Sequence, residues 1–228
     1  MKKKIGVLLS GCGVYDGAEI QESILTMLAI EEIGAEYQCI SINKNQFHVI
    51  NHMTGEEMNE SRNMLTEAAR IARGNVQEIS EITPADLDAL VIPGGFGSAK
   101  NFTTWAFNGP DSEILPEVKL LLVNLINSGI PIVALCVSPI VLAKALEGSG
   151  IELKMTLGTS SEPSPYDINS FNQGLEKTGV HPEMKTIREI LIDEKNLVIT
   201  APCYMMEVSI SEVNANIRQA MSALKNLL

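Results

Sequence analysis

Cys136 closes a short apolar run, Ile130-Pro-Ile-Val-Ala-Leu135, and a second apolar run, Pro139 to Leu146, follows at once. The pattern predicts a buried strand, a sharp turn, and a helix with Pro139 in its first turn, where a missing N–H costs little. A thiol at such a corner sits beside a helix N-terminus, whose partial positive charge favours thiolate. The chemistry on offer is nucleophilic. The same geometry exposes the nucleophile in the G-x-S-x-G elbow, although the consensus here is looser. The plainer alternative is a small buried hydrophobe, which describes most free cysteines.

Two further strand patterns end in loops rich in Gly or Pro. Ile5-Gly-Val-Leu-Leu9 runs into Ser10-Gly-Cys-Gly-Val-Tyr-Asp-Gly-Ala-Glu19, and Ala89-Leu-Val-Ile92 runs into Pro93-Gly-Gly-Phe-Gly97. In an open parallel sheet all three loops lie on the carboxyl edge, where ligands bind. Around them strand and helix patterns alternate. Helices are predicted at Ile20–Ile30, Met58–Arg73, Leu115–Asn127 and Ser211–Leu227. Strands are predicted at Ala35–Ile42, Asn75–Ser80 and Leu87–Ile92, with a turn or short helical segment at Thr83-Pro84. A late hairpin joins Arg188–Asp193 to Leu197–Thr200 around Glu194-Lys-Asn196. The expected fold class is α/β: a single domain over residues 1–228, doubly wound and flavodoxin-like, its sheet mostly parallel with helices on both faces.

The Tyr15-Asp-Gly-Ala-Glu19 loop, the Pro93-Gly-Gly-Phe-Gly97 loop and the Cys136 elbow, in that order, resemble the ThiJ/PfpI superfamily, a branch of the class I glutamine amidotransferase-like fold. Ser10 to Glu19, Val49-Ile-Asn-His-Met-Thr-Gly-Glu56 and Pro93-Gly-Gly-Phe-Gly-Ser-Ala-Lys-Asn101 look like its ElbB subfamily, described as isoprenoid-biosynthesis-associated, amidotransferase-like and glyoxalase-like. The similarity runs from Lys3 to about Leu224. It implies that Glu19 approaches the Cys136 thiol and moves protons during turnover. The structural alternative for Glu19 is a first-turn glutamate favoured by the helix dipole, the role expected of its neighbour Glu22. Gly95 and Val137 are the candidate oxyanion-hole donors through their backbone N–H groups. Asn51, Gly94, Lys100 and Asn101 fall in the matching motifs and are the candidate substrate-binding residues. Tight turns and helix or loop caps are the plain alternative for such Gly and Asn positions.

The departures from the family bear on the reaction. Many superfamily enzymes carry a histidine after the cysteine, where this chain has Val137, and others carry one about twenty residues later, where Leu153 to Thr159 has none. The three histidines, His48, His52 and His181, read as surface or structural groups. Hydrolysis of an amide needs an effective base beside the thiol, so a protease or amidotransferase is disfavoured. A Cys136–Glu19 dyad is left. It suits a glyoxalase-like enzyme, of lyase type, that converts glyoxal to glycolate and methylglyoxal to lactate without glutathione, cofactor or metal. The expected partner is a small reactive aldehyde or related metabolite. The alternative is a non-catalytic or redox-responsive amidotransferase-like protein associated with isoprenoid metabolism, in which Cys136 is the modifiable thiol.

Composition narrows the remaining classes. With 228 residues, 45% hydrophobic and 20% charged, the chain suits one α/β core. A net charge of −11 argues against nucleic acid or an anionic membrane as partner. Lys2–Lys4, Ile5–Leu9 and Cys12 mimic a lipoprotein signal, but the apolar core is too short, and it reads as the first central strand. The four cysteines, Cys12, Cys39, Cys136 and Cys203, have no short-spaced pair, and free thiols fit a cytoplasmic protein. Cys12 and Cys203 fall in strand-end loops, and sequence sets no distance from either to Cys136. The family resemblance also implies a homodimer.

Overall fold

Short runs of Val, Ile, Leu and Ala cannot hide both sides in a surface helix, but they suit strands covered on both faces. The computed structural model describes residues 2–228. The first half holds β1 (Lys4–Leu8), α1 (Ile20–Glu32), β2 (Glu36–Ser41), α2 (Met64–Ile71), β3 (Val76–Glu78), β4 (Ala89–Ile92), α3 (Trp105–Asn108) and α4 (Pro116–Asn127). The second half holds β5 (Ile132–Leu135), α5 (Pro139–Leu146), β6 (Lys154–Met155), α6 (Ile168–Lys177), β7 (His181–Pro182), β8 (Leu191–Asp193), β9 (Val198–Ala201) and α7 (Ile210–Lys225).

Seven strands form one sheet in the order β3-β2-β1-β4-β5-β9-β8, all parallel except β8, which pairs antiparallel with β9 as the hairpin pattern predicts. β6 and β7 make a separate parallel pair. Every residue of β4, β5 and β9 is buried, so both faces of the sheet are covered. α1 packs on α7, and α4 packs on α5. One hydrophobic cluster runs through all these layers, from Ile5 to Leu224. The fold is thus the expected α/β class.

The chain proceeds outward from β1 to β2 and β3, then returns to the other side of β1 to build β4 and β5. That reversal leaves a crevice beyond the carboxyl ends of β1 and β4, the usual ligand position in such sheets. The loops after β1, β4, β5 and β9 meet there.

One helical expectation needs correction, and one helix was not foreseen. The predicted Met58–Arg73 helix begins only at Met64, because Asn63 caps it by accepting the Thr66 N–H. Met58 instead donates its N–H to the Val49 carbonyl, and Ile50 bridges Glu57. The second case is α6, a helix the sequence pattern does not announce. It is largely polar, and Asp167 starts it by accepting the Ser170 N–H.

Close packing makes Gly6 of β1 hard to replace. A Cβ there would lie 2.8 Å from Leu90 Cδ1 and 2.9 Å from both Ile40 Cδ1 and Leu87 Cδ1. Gly6→Ala is expected to destabilise the fold by about 1–3 kcal/mol through overpacking, read as a lowered urea midpoint with an unchanged slope. A midpoint equal to wild type would show that these three side chains yield freely.

Candidate functional site

The elbow is present where the sequence places it. Cys136 follows β5 with φ of +57°, a left-handed conformation that costs a non-glycine residue about 1–2 kcal/mol. Its amide donates to the Ala201 carbonyl at 2.9 Å, which fixes the corner against β9. Ser138 fixes it from the other side, its hydroxyl donating to the Pro93 carbonyl at 2.6 Å and lying 2.8 Å from Ser98 Oγ. The turn therefore presents the thiol to the loop after β4. The backbone N–H groups of Gly95 and Val137 both point at the Cys136 sulfur, so the two sequence-selected donors converge on one place.

The carboxyl beside the thiol belongs to Glu22. Glu19 is the N-cap of α1, and its Oε2 accepts the Glu22 N–H at 2.6 Å. One turn further in, the Glu22 side chain is fully buried and lies beside the Cys136 thiol, both groups flanking Gly94. Its Oε2 accepts the Gly94 N–H at 2.8 Å, and its Oε1 accepts the Tyr204 N–H at 3.1 Å. The sequence pairing of Cys136 with Glu19 is thus corrected. A cap must turn its carboxyl back on its own helix, whereas the residue three positions on faces inward. Glu19 remains at the site as part of the pocket wall.

Electrostatics follow from this burial. Desolvation, then the charge of Glu19, pushes Glu22 up to about 7 against the opposing pull of its two amide donors. Burial also raises Glu19. Cys136 is held well above its ordinary value, first by burial and then by Glu22 and Cys203. The thiolate expected from the helix N-terminus is therefore not the resting form, because loss of water outweighs the dipole. At neutral pH the pair is a thiol beside a half-ionised carboxyl.

Glycines set the spacing. A Cβ on Gly94 would collide with the Cys136 Cβ and sit 2.5 Å from Glu22 Oε2. Gly95 has φ of +101°, and its Cβ would lie 2.5 Å from the Glu19 amide nitrogen. The Gly94 N–H serves Glu22 rather than an open binding position.

The other proposed substrate contacts tie loops instead. Lys100 Nζ donates to the Tyr15 carbonyl at 2.9 Å, with its charge 5.6 Å from the Phe96 ring centre. Asn101 uses its whole amide, donating to the carbonyls of Ser10 and Asp16 and accepting the Phe47 N–H. Asn51 closes a turn by accepting the Met53 N–H. None of the three lines the cleft at Cys136, because their polar atoms satisfy backbone left over from the long β1 and β2 loops.

That cleft measures about 310 Å³ including its mouth, with Glu19, Gly95, Cys136 and Val137 in its wall. Sequence reasoning missed the rest of the wall, chiefly Phe96, Tyr166, Phe171 and Tyr204. A signal existed for Glu22: with Thr26 and Ile30 it recurs at a four-residue spacing on the buried face of α1. The histidines stay outside the cleft, His52 3.8 Å from Asp16, His48 3.8 Å from Glu57, and His181 3.9 Å from Glu152. Cys203, fully buried, has its sulfur against the Cys136 amide, whereas Cys12 is half-buried among the charges of Glu67, Arg70 and Asp16.

Comparison with known proteins places this arrangement. No family model matches the chain. A human protein, glutamine amidotransferase-like class 1 domain-containing protein 3, mitochondrial, is 36% identical over 218 residues, covering 94% of this chain and 79% of its own. The chain belongs to the class I glutamine amidotransferase-like family. The rat ES1 protein homolog, mitochondrial, is 34% identical over 220 residues, covering 95% of this chain and 80% of its own. An isoprenoid biosynthesis protein with amidotransferase-like domain from Ehrlichia chaffeensis matches with a TM-score of 0.89 and 35% identity over 99% of both chains. These likenesses bear out the ThiJ/PfpI and ElbB-type resemblance. Glyoxalase III from Candida albicans has the same fold, with a TM-score of 0.61 over 97% of both chains at 15% identity. The cytoplasmic expectation is corrected: the relatives are named mitochondrial, which points away from the cytoplasm, and reduced thiols do not distinguish the two. Among the described residues no helix is long and apolar enough to cross a membrane.

Linkage gives the site a stability signature. Glu22 has its pKa raised from 4.5 to about 7, so the folded state binds its proton more tightly than the unfolded one. That contribution is complete below about pH 4.5 and is lost as pH rises through about 7, about 3 kcal/mol at most. Glu22→Gln removes this dependence at the constant cost of one lost acceptor. The melting-temperature difference between variant and wild type should therefore move in the variant's favour between pH 5 and pH 8. A difference independent of pH would refute the raised carboxyl.

Proposed function

We propose that this chain acts as a single amidotransferase-like domain with cofactor-independent glyoxalase activity, using Cys136 and Glu22. The observation that carries the reading is the buried Glu22 carboxyl, fixed by the Gly94 and Tyr204 amides beside the Cys136 thiol, with its pKa raised to about 7. A base with a pKa near the working pH is the best compromise between being ionised and accepting a proton. Glu22 takes the thiol proton as sulfur adds to the aldehyde carbon. The Gly95 and Val137 N–H groups, which point at the sulfur, are the donors available to the new oxyanion. Proton transfer from C1 to C2 then converts the hemithioacetal into a thioester. Water hydrolyses it to glycolate or lactate and restores the thiol. The shared fold of glyoxalase III is compatible with this reading and does not carry it.

The redox-responsive alternative loses support from the same geometry. Oxidation follows thiolate character and exposure, and Cys136 has little of either. We also propose a homodimer. Ile20, Ile24 and Leu28 form an exposed stripe along α1, at 45%, 44% and 49% exposure. A stripe centred on Ile24 is self-complementary about a two-fold axis, Ile20 meeting Leu28 of the other copy.

Glycolate release from glyoxal and lactate release from methylglyoxal, without glutathione, test the reaction. Wild type should turn over with kcat rising through about pH 7; Cys136→Ala should be inactive, and Glu22→Gln should lose roughly 10²–10⁴-fold. Glu19→Gln should keep most of the rate. An inactive wild type between pH 6 and 9, or an active Cys136→Ala, sinks the reading. Light scattering on a sizing column should give twice 24.7 kDa, falling to the monomer in Ile24→Glu. A monomeric wild type rejects the dimer.

A further inference from the structure

The cleft wall contains one hydroxyl that the scheme above does not use. Tyr166 precedes α6, and its ring stands edge-on to Phe96, with centres 5.8 Å apart, and to Phe171, at 6.5 Å. Its backbone is pinned, its N–H donating to Ser164 Oγ at 3.0 Å while the Ser164 hydroxyl donates to the Met205 carbonyl at 2.7 Å. Ring and backbone are therefore both anchored. The other tyrosine of the cleft, Tyr204, gives its hydroxyl to Gln21 Oε1. Tyr166 gives its hydroxyl to no side chain or carbonyl among the described residues, and it shares the cleft with Cys136. Burial, then the proximity of Cys136 and Glu22, raises its pKa, so the phenol stays a neutral donor.

The wall is also selective by charge. Among the described residues that line it, Glu19 bears the one carboxyl group and none is a cation. A substrate bearing a carboxylate would meet Glu19 and Glu22 without a counter-charge. The two backbone donors hold one oxygen, and the phenol offers a third donor to another.

We propose that Tyr166 is a substrate-contacting residue whose O–H donates to the second oxygen of a neutral 1,2-dicarbonyl attached to Cys136. This rests on the reading of Cys136 as a carbonyl nucleophile. Sulfur adds to C1 as the thiol proton passes to Glu22, which hands it on to the C1 oxygen, giving the hydroxyl of a hemithioacetal and restoring the Glu22 carboxylate. Removal of the C1 proton places negative charge on the C2 oxygen, where the Tyr166 hydroxyl donates. The proton taken from C1 returns to C2, and the C1 hydroxyl proton moves to the C2 oxygen, completing an internal redox exchange: C1 is oxidised to the thioester level and C2 is reduced to the alcohol, with no outside oxidant.

The test compares methylglyoxal with propanal, which has the same carbon count and lacks the second oxygen. Aldehydes labelled with 13C at C1 are titrated into Glu22→Gln, in which turnover is slow, and the hemithioacetal carbon is followed by NMR. Adding Tyr166→Phe, which keeps the ring packing, should weaken the methylglyoxal adduct about tenfold and leave the propanal adduct unchanged. In the otherwise wild-type enzyme Tyr166→Phe should lower kcat for methylglyoxal at least as much, with the thermal melt unchanged. Equal weakening of both adducts, or of neither, overturns the role of Tyr166 while Cys136 remains a carbonyl nucleophile. Absence of any adduct that Cys136→Ala removes overturns that reading and this proposal with it.

Discussion

The arrangement turns on one buried carboxyl. Glu22 joins four parts of the chain at a single point: α1, from which it projects, the Gly94 amide after β4, the Tyr204 amide after β9, and the Cys136 thiol after β5. Burying such a group is costly, and two amide donors offset only part of that cost. What remains appears as a carboxyl that titrates near neutrality instead of near 4.5. The same desolvation holds the thiol in its protonated form. Thiol and carboxyl are therefore shifted together by the same exclusion of water.

Such contact requires backbones to approach more closely than side chains permit. Gly94 leaves room for the Cys136 and Glu22 side chains, and Gly95 adopts a conformation that turns its N–H toward the sulfur. The strained φ of Cys136 is sustained by β5 and β9, whose hydrogen bonds lock the corner, and by Ser138 on the Pro93 carbonyl. The loop residues Lys100, Asn101 and Asn51 hold the outer walls by satisfying carbonyls and amides. Their polarity is absorbed by the protein itself, which explains why motif position alone suggested binding residues.

Much of the frame was legible in the chain. Pro139 to Leu146 is helical over the residues the pattern marks, and the late hairpin pairs as its turn residues indicate. Period and apolar content act locally, so they can be read locally. The Met58–Arg73 segment failed because Asn63 captures the helix start and the preceding residues pair across the loop. Helix α1 is the more instructive case. Its outward face carries Ile20, Ile24 and Leu28, while its inward face carries Glu22, Ser23 and Thr26. The inward face also buries Met27, Ala29 and Ile30, so apolar residues fall on both faces of the helix and draw attention away from the inward glutamate.

The sequence by itself determined the alternation of strands and helices, the elbow at Cys136 and the glycine loop that faces it. These depend on propensities and spacings within a few residues. Only the tertiary structure decided which of two glutamates meets the thiol, that the thiol rests protonated, and that Tyr166, just before α6, and Phe171, within it, complete the wall. Each of those outcomes is set by distance through space and by exclusion of water. Neither quantity is written in the spacing of residues along the chain.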